Sequence, residues 1–248
     1  MVNNKHPYKR KVTHTEYKHG DKETKKGGWS RMLQHHITDN KHKLSVNAIA
    51  PKAAIQKADD RFMQINADAD VLPIWVGGTF LFLFLSFLFI ELKFSEEETH
   101  WGYIVAMIFF LTGFIFFVIY YFTKPTKEFI WNREDGLVTF PGFMWRDNIT
   151  MPIKKVIFVR SAPSAQGLGA YLLQIARPDK SYSLYMASLD CTCYEDLSFY
   201  LWYMDKNRPL PPGTAFDPYR DADYERRKAA GFPKPMFPAS FETLEAKL

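Results

Sequence analysis

The side chains best able to do chemistry are few and scattered. Cys191-Thr192-Cys193 is a CxC pair, and these are the only two Cys in the chain. Zinc takes four ligands, and no second Cys or His cluster accompanies them. A thiolate nucleophile wants a His base, and residues 123–248 contain no His. The same gap removes Ser-His-Asp and phosphohistidine chemistry from that half. The pair therefore reads as two small residues at a helix start, kept reduced in a cytoplasmic setting. Gly167-Leu168-Gly169 leads into a strand-like YLLQIA with no Lys-Ser/Thr, so it is a turn and not a phosphate loop. Asp217, Asp221, Asp223 and Glu225 look like paired carboxylates or cation ligands. They alternate with Arg220, Arg226 and Arg227, which predicts a solvated, salt-bridged helix. Six of the seven His lie in residues 1–50 without an HxxxH pair, so no metal site is expected there. The sequence predicts no catalytic residue, no cofactor and no enzyme.

What remains is contact chemistry. Trp145, Trp202 and Tyr203, with Tyr200, are candidate aromatic anchors for a partner. Lys154, Lys155, Arg160 and Arg177 are candidates for a basic face that meets lipid head groups. Nucleic acid is not expected as a partner: residues 123–248 carry 17 basic and 15 acidic groups, and no reader motif appears.

These residues must be positioned by a chain that is not uniformly soluble. Of its 22 Phe, 12 fall between Phe80 and Phe122. Val71–Ile90 and Trp101–Phe122 are charge-free and apolar on every side. Each is long enough, at ~1.5 Å per residue, to cross the ~30 Å of a bilayer's hydrocarbon. With no acid, base or His inside them, a transporter or channel is not expected. Gly77, Gly78 and Gly113 are candidates for a helix–helix contact. The Glu-rich stretch between the two spans predicts a short exposed turn. Lys52, Lys57 and Arg61 precede span one, and Lys124, Lys127 and Arg133 follow span two. The positive-inside rule then puts both termini in the cytoplasm.

The flanks divide further. Residues 1–47 predict a flexible basic arm, since residues 1–70 hold 14 basic and 8 acidic groups, or +6. Residues 48–70 predict a weakly helical juxtamembrane segment. The spans and turn occupy 71–92, 93–100 and 101–122. Residues 123–208 alternate in short segments split by turns: EFIWNR, LVTF (continued by Phe143–Arg146 after Pro141-Gly142), IKKVIFVR, YLLQIAR and YSLYMA. Thr192-x-x-Glu195 is a capping box, followed by Tyr194, Leu197, Leu201 and Met204 at helical spacing. The expected fold is a membrane α-helical hairpin plus a cytoplasmic α+β domain. That domain is a small antiparallel sheet or partial barrel capped by one C-terminal helix. Residues 209–248 are Pro-rich, with a short charged helix over Asp221–Gly231, and are expected to wrap the domain.

The strands-then-helix order after a membrane hairpin resembles bacterial pleckstrin-homology-like domains; an α+β sandwich and an SH3-like barrel are the alternatives. The runs FDPYR (Phe216–Arg220) and ERRKAAGFP (Glu225–Pro233) are similar to a family of two-pass membrane proteins of Proteobacteria. That family is often encoded near type VI secretion and polymorphic-toxin genes, and it has no established catalytic residues to carry over. The resemblance runs from the spans to Pro238. It implies an inner-membrane immunity or accessory protein whose partner is a type VI effector or toxin. The expected function is thus a non-enzymatic, membrane-anchored protein-binding module, with homo-oligomerisation through the spans as a further possibility. The alternative is a lipid-sensing or bilayer-remodelling protein that works through its basic surfaces.

Overall fold

The structure is a computed structural model that describes residues 8–17, 34–37, 55–67, 71–94, 101–161, 172–179, 184–188 and 193–237. The GxG loop, Cys191, the capping Thr192 and most of the acidic turn lie outside the described residues. Two compact units emerge. One holds residues 1–66, 128–141 and 148–248; the other holds 67–127 with 142–147.

The second unit is built on α1 (Val71–Phe94) and α2 (Trp101–Thr123). Their mean hydropathies of 2.1 and 2.5 and their lengths suit a bilayer crossing, and the outer faces are exposed. The two helices pack closely where glycine allows it. A Cβ on Gly113 would fall 2.1 Å from the Phe80 ring, and one on Gly77 would meet Phe117 at 3.1 Å. Gly78 faces open space, so two of the three expected glycines make the contact. Thr79, Ser86, Thr112 and Thr123 each donate a hydroxyl to the carbonyl four residues back. That pairing leaves none of these hydroxyls bare on an apolar helix, where each would cost several kcal/mol in lipid.

The first unit divides its strands between two antiparallel sheets. One runs β2 (Ile55–Ala58), β3 (Phe62–Ile65), β4 (Phe129–Asn132), β5 (Leu137–Phe140), β6 (Ile149–Pro152) in that spatial order. The other is ordered β1-β7-β8-β9, with β1 at Gln34–Ile37, β7 at Phe158–Ser161, β8 at Leu172–Ala176 and β9 at Leu184–Met186. Helix α3 (Cys193–Met204) follows, and α4 (Arg220–Ala229) lies in the Pro-rich extension. The rings of β4, β9 and α3 meet in the core. Trp131 stacks on Tyr200 at 4.1 Å, and Phe129 meets Tyr185 edge-on at 5.0 Å. Trp131, Phe140, Phe158, Leu173 and Ile175 have no more than 1 % of their surface exposed.

Three expectations change. The segment read as a weakly helical lead-in forms strands β2 and β3, and β3 pairs with β4 from Phe62↔Asn132 to Ile65↔Phe129. The pair of long apolar helices is therefore an insertion, in sequence, between two neighbouring strands of one sheet. Second, part of the arm read as flexible is bound to the domain. Thr13 N–H donates to the Thr150 carbonyl, Arg10 forks onto Glu128 at 2.8–2.9 Å, and Tyr17 Oη donates to the Ala176 carbonyl. Third, Phe143–Arg146, read as a continuing strand, is a tight turn closed by Arg146 N–H to the Phe143 carbonyl.

Helix α3 also departs from a one-faced pattern. Ten of its twelve residues are buried, because Phe216 of the extension packs on Phe199 and Tyr203 from outside. Tyr194, assigned to the apolar face, is 48 % exposed. Met204 is followed by Asp205, whose carboxylate accepts from Arg208 Nε and from the N–H groups of Asn207, Met236 and Phe237. One buried carboxylate thus ties the extension to the end of α3.

Candidate functional site

The sequence-predicted contact residues are distributed over several elements. Lys154 and Lys155 are exposed, side by side, in a one-turn 3-10 helix after β6. Arg160, on β7, donates to Tyr194 Oη and lies over its ring. Arg177 follows β8 and donates to the carbonyls of Pro141 and Leu184, so its guanidinium holds the fold together. Trp202 and Tyr203 are core residues of α3: Trp202 Nε1 donates to the Pro209 carbonyl and Tyr203 Oη to the Asp59 carbonyl. Trp145 is part of the turn that belongs with α2, and its Nε1 donates to Thr123 Oγ1 at 2.8 Å.

The most concentrated chemistry is elsewhere. Arg133 directly follows β4 and is 1 % exposed. Its Nη1 donates to Asp223 Oδ1 at 2.7 Å, and its Nη2 donates to the carbonyls of Asp205 and Arg208 at 2.9 and 2.6 Å. Arg226 and Arg227 reach the same Asp223 carboxylate at 2.6 and 2.9 Å. Helix α4 is amphipathic in an unusual sense: the face it buries carries Asp223 and Arg227. The expectation of a solvated salt-bridged helix holds for Arg220–Asp217, where both groups are partly exposed, and fails for Asp223. Burial alone would push the Asp223 carboxyl up, but Arg133, Arg226 and Arg227 outweigh it and hold the group below the usual carboxylate range.

Three guanidiniums on one carboxylate leave positive charge uncompensated. A cleft of about 190 Å³ opens beside them, lined by Asp60, Arg61, Arg133, Glu134, Lys206 and Arg226. Four cations face two carboxylates there, and Glu134 is itself drawn toward Lys9 at 3.7 Å. Arg133 Nε is buried with no hydrogen-bond partner among the described residues. A buried N–H without an acceptor costs about 1–3 kcal/mol, and a carboxylate or phosphate oxygen would satisfy it. The lining comes from the turn before β3, the end of β4, the end of α3 and α4. Sequence reasoning missed it because those positions are far apart along the chain. The one available hint was the excess of Arg over acid in Tyr224–Lys228.

The thiol of Cys193 is buried, and burial pushes it up to about 11. It is a neutral thiol at neutral pH and a poor nucleophile. Among the described residues no group of three or more His, Cys, Asp or Glu could hold a metal ion. No family model, curated protein or solved structure matches the chain.

Proposed function

We propose that this chain is a non-enzymatic, membrane-anchored binding module that takes an acidic segment of a protein partner into the Arg133 cleft. The observation that carries the reading is the cleft lined by four cations against two carboxylates. Such a site favours a carboxylate, and Arg suits it through its planar fork. Anchoring confines the module to the membrane plane and raises its local concentration along the partner's route. The apolar lengths of α1 and α2 and the basic flanks on both sides support a hairpin in the inner membrane with the domain in the cytoplasm. The β3–β4 pairing supports it too, since a hairpin returns the chain to the side it left. Two antiparallel sheets followed by a helix support the pleckstrin-homology-like reading. The family resemblance points to a type VI effector or toxin as the partner.

The test is a photo-crosslinking residue at Arg61 or Lys206 of the full chain in its native host. One discrete adduct, lost when Arg226→Glu is added, supports the reading; no adduct, or one indifferent to Arg226→Glu, overturns it. A second reading rests on the exposed Lys154-Lys155 pair, which suits anionic head groups. It expects anionic lipid to be enriched in the purified protein, and that enrichment to fall in Lys154→Glu/Lys155→Glu.

A further inference from the structure

The turn between β5 and β6 breaks the pattern of its own hairpin. Gly142–Asp147 clusters with α2, not with the sheet strands on either side of it. Trp145 meets Phe116 and Tyr120 of α2 edge-on, at ring distances of 5.5 and 5.0 Å, in addition to its hydrogen bond to Thr123. Lys127 Nζ donates to the carbonyls of both Gly142 and Arg146, closing the turn from below. A Cβ on Gly142 would fall 2.1 Å from the Asp147 carbonyl oxygen, so only glycine admits this path. Met144 holds a φ of +46°, a conformation costing a non-glycine residue about 1–2 kcal/mol. The shape is thus fixed at some expense, and it presents two large apolar side chains, Met144 (37 % exposed) and Trp145 (42 %), beside the exposed Arg146 and Asp147.

We infer that the Phe143–Arg146 turn is a membrane-interface anchor, with Met144 and Trp145 lying at the head-group and acyl boundary where α2 leaves the lipid. The inference rests on α1 and α2 being bilayer spans. Continuity with α2 identifies the occupant as lipid. Phe122 (79 % exposed) and Tyr121 lie on the same last turn of the helix, and Trp with Tyr is the residue pair that partitions to this depth. Lys124 lies over the Tyr121 ring, and Arg146 is exposed at the turn, which places positive charge at this end of α2. The turn makes a second point of attachment beside α2, contributed by a stretch of sequence that no hydropathy window would select.

The test uses the full chain in lipid nanodiscs, with Cys191→Ser and Cys193→Ala as background. A spin label is placed by Met144→Cys, with Leu85→Cys and Glu134→Cys as lipid and water references. The Met144 label is expected to show several-fold lower access to an aqueous nickel chelate than the Glu134 label, and lower access to oxygen than the Leu85 label. Equal chelate access at Met144 and Glu134, with Leu85 still protected, overturns the anchor and leaves the spans standing. A Leu85 label open to the chelate overturns both. As a label-free second measurement, phospholipids brominated near the glycerol should quench less of the Trp fluorescence in Trp145→Phe than in the parent, the remainder coming from Trp75 and Trp101 at the span ends. Quenching identical in the two proteins overturns the inference.

Discussion

Asp223 is a carboxylate shut away from water with three guanidiniums around it, and it balances the cost of burying Arg133. A buried ion pair adds little net stability, but breaking one strands a charge. Asp223→Ala should therefore lower the unfolding free energy by about 3–5 kcal/mol, read from denaturant melts of the solubilised protein. Because the folded carboxyl is held below its unfolded value, its contribution is full above the unfolded range of ~3.9 and disappears as pH falls through the lower folded value. The acid limb of the stability profile should flatten in Asp223→Asn; an unchanged limb would mean that the pair is not linked to folding. Cys193, by contrast, should resist iodoacetamide at neutral pH until the protein is denatured, since its thiol is buried and pushed up to about 11. Rapid labelling of the native protein at this site would contradict that placement.

At the scale of elements, the contact between α1 and α2 hinges on two glycines. Gly113→Leu would drive a side chain into the Phe80 ring and should cost about 1–3 kcal/mol of hairpin stability, as overpacking does; Gly78→Leu, which meets nothing, should cost far less. Thermal melts in detergent compare the two, and equal losses would show that the close approach is not limiting. The spans were legible because their signal is local: an unbroken apolar run states its own length. Strands β4, β5, β8 and β9 and helix α3 were legible for the same reason, each carrying its alternation or period within a few residues. Strands β2 and β3 were not. IQKA and FMQI are as short as β4 and β5, but the Asp59-Asp60-Arg61 link between them holds no Gly or Pro to mark a turn, and the partner of β3 lies beyond the entire hairpin. The burial of α3 on both sides was hidden as well, because Phe216, which covers its outer face, comes from a segment whose prolines advertise only extended chain.

For the whole molecule, the sheet domain is one unit interrupted by another. Paired residues on adjacent antiparallel strands lie about 4.5–5.5 Å apart, so Ile65 and Phe129 are close enough for a short turn to join them. Replacing residues 67–127 with such a turn should give a soluble, folded domain with a β-rich circular dichroism spectrum and a single cooperative melt. Aggregation of that variant, in buffers where the parent is stable in detergent, would mean that the domain needs its insertion. The cleft follows the same logic. Its walls come from both sides of the interruption, Asp60 and Arg61 before it and Arg133, Glu134, Lys206 and Arg226 after it, so no contiguous stretch of sequence could have announced it.

The β3–β4 seam also has a temporal meaning. A ribosome delivers β3 first, then α1 and α2, and only afterwards β4. Until both helices have been made, the β4-facing edge of β3 has no mate. On the proposed membrane reading, closure of the sheet would certify that insertion is complete, and a polypeptide whose hairpin stayed out of the membrane would display an unfinished edge for quality-control proteases to find.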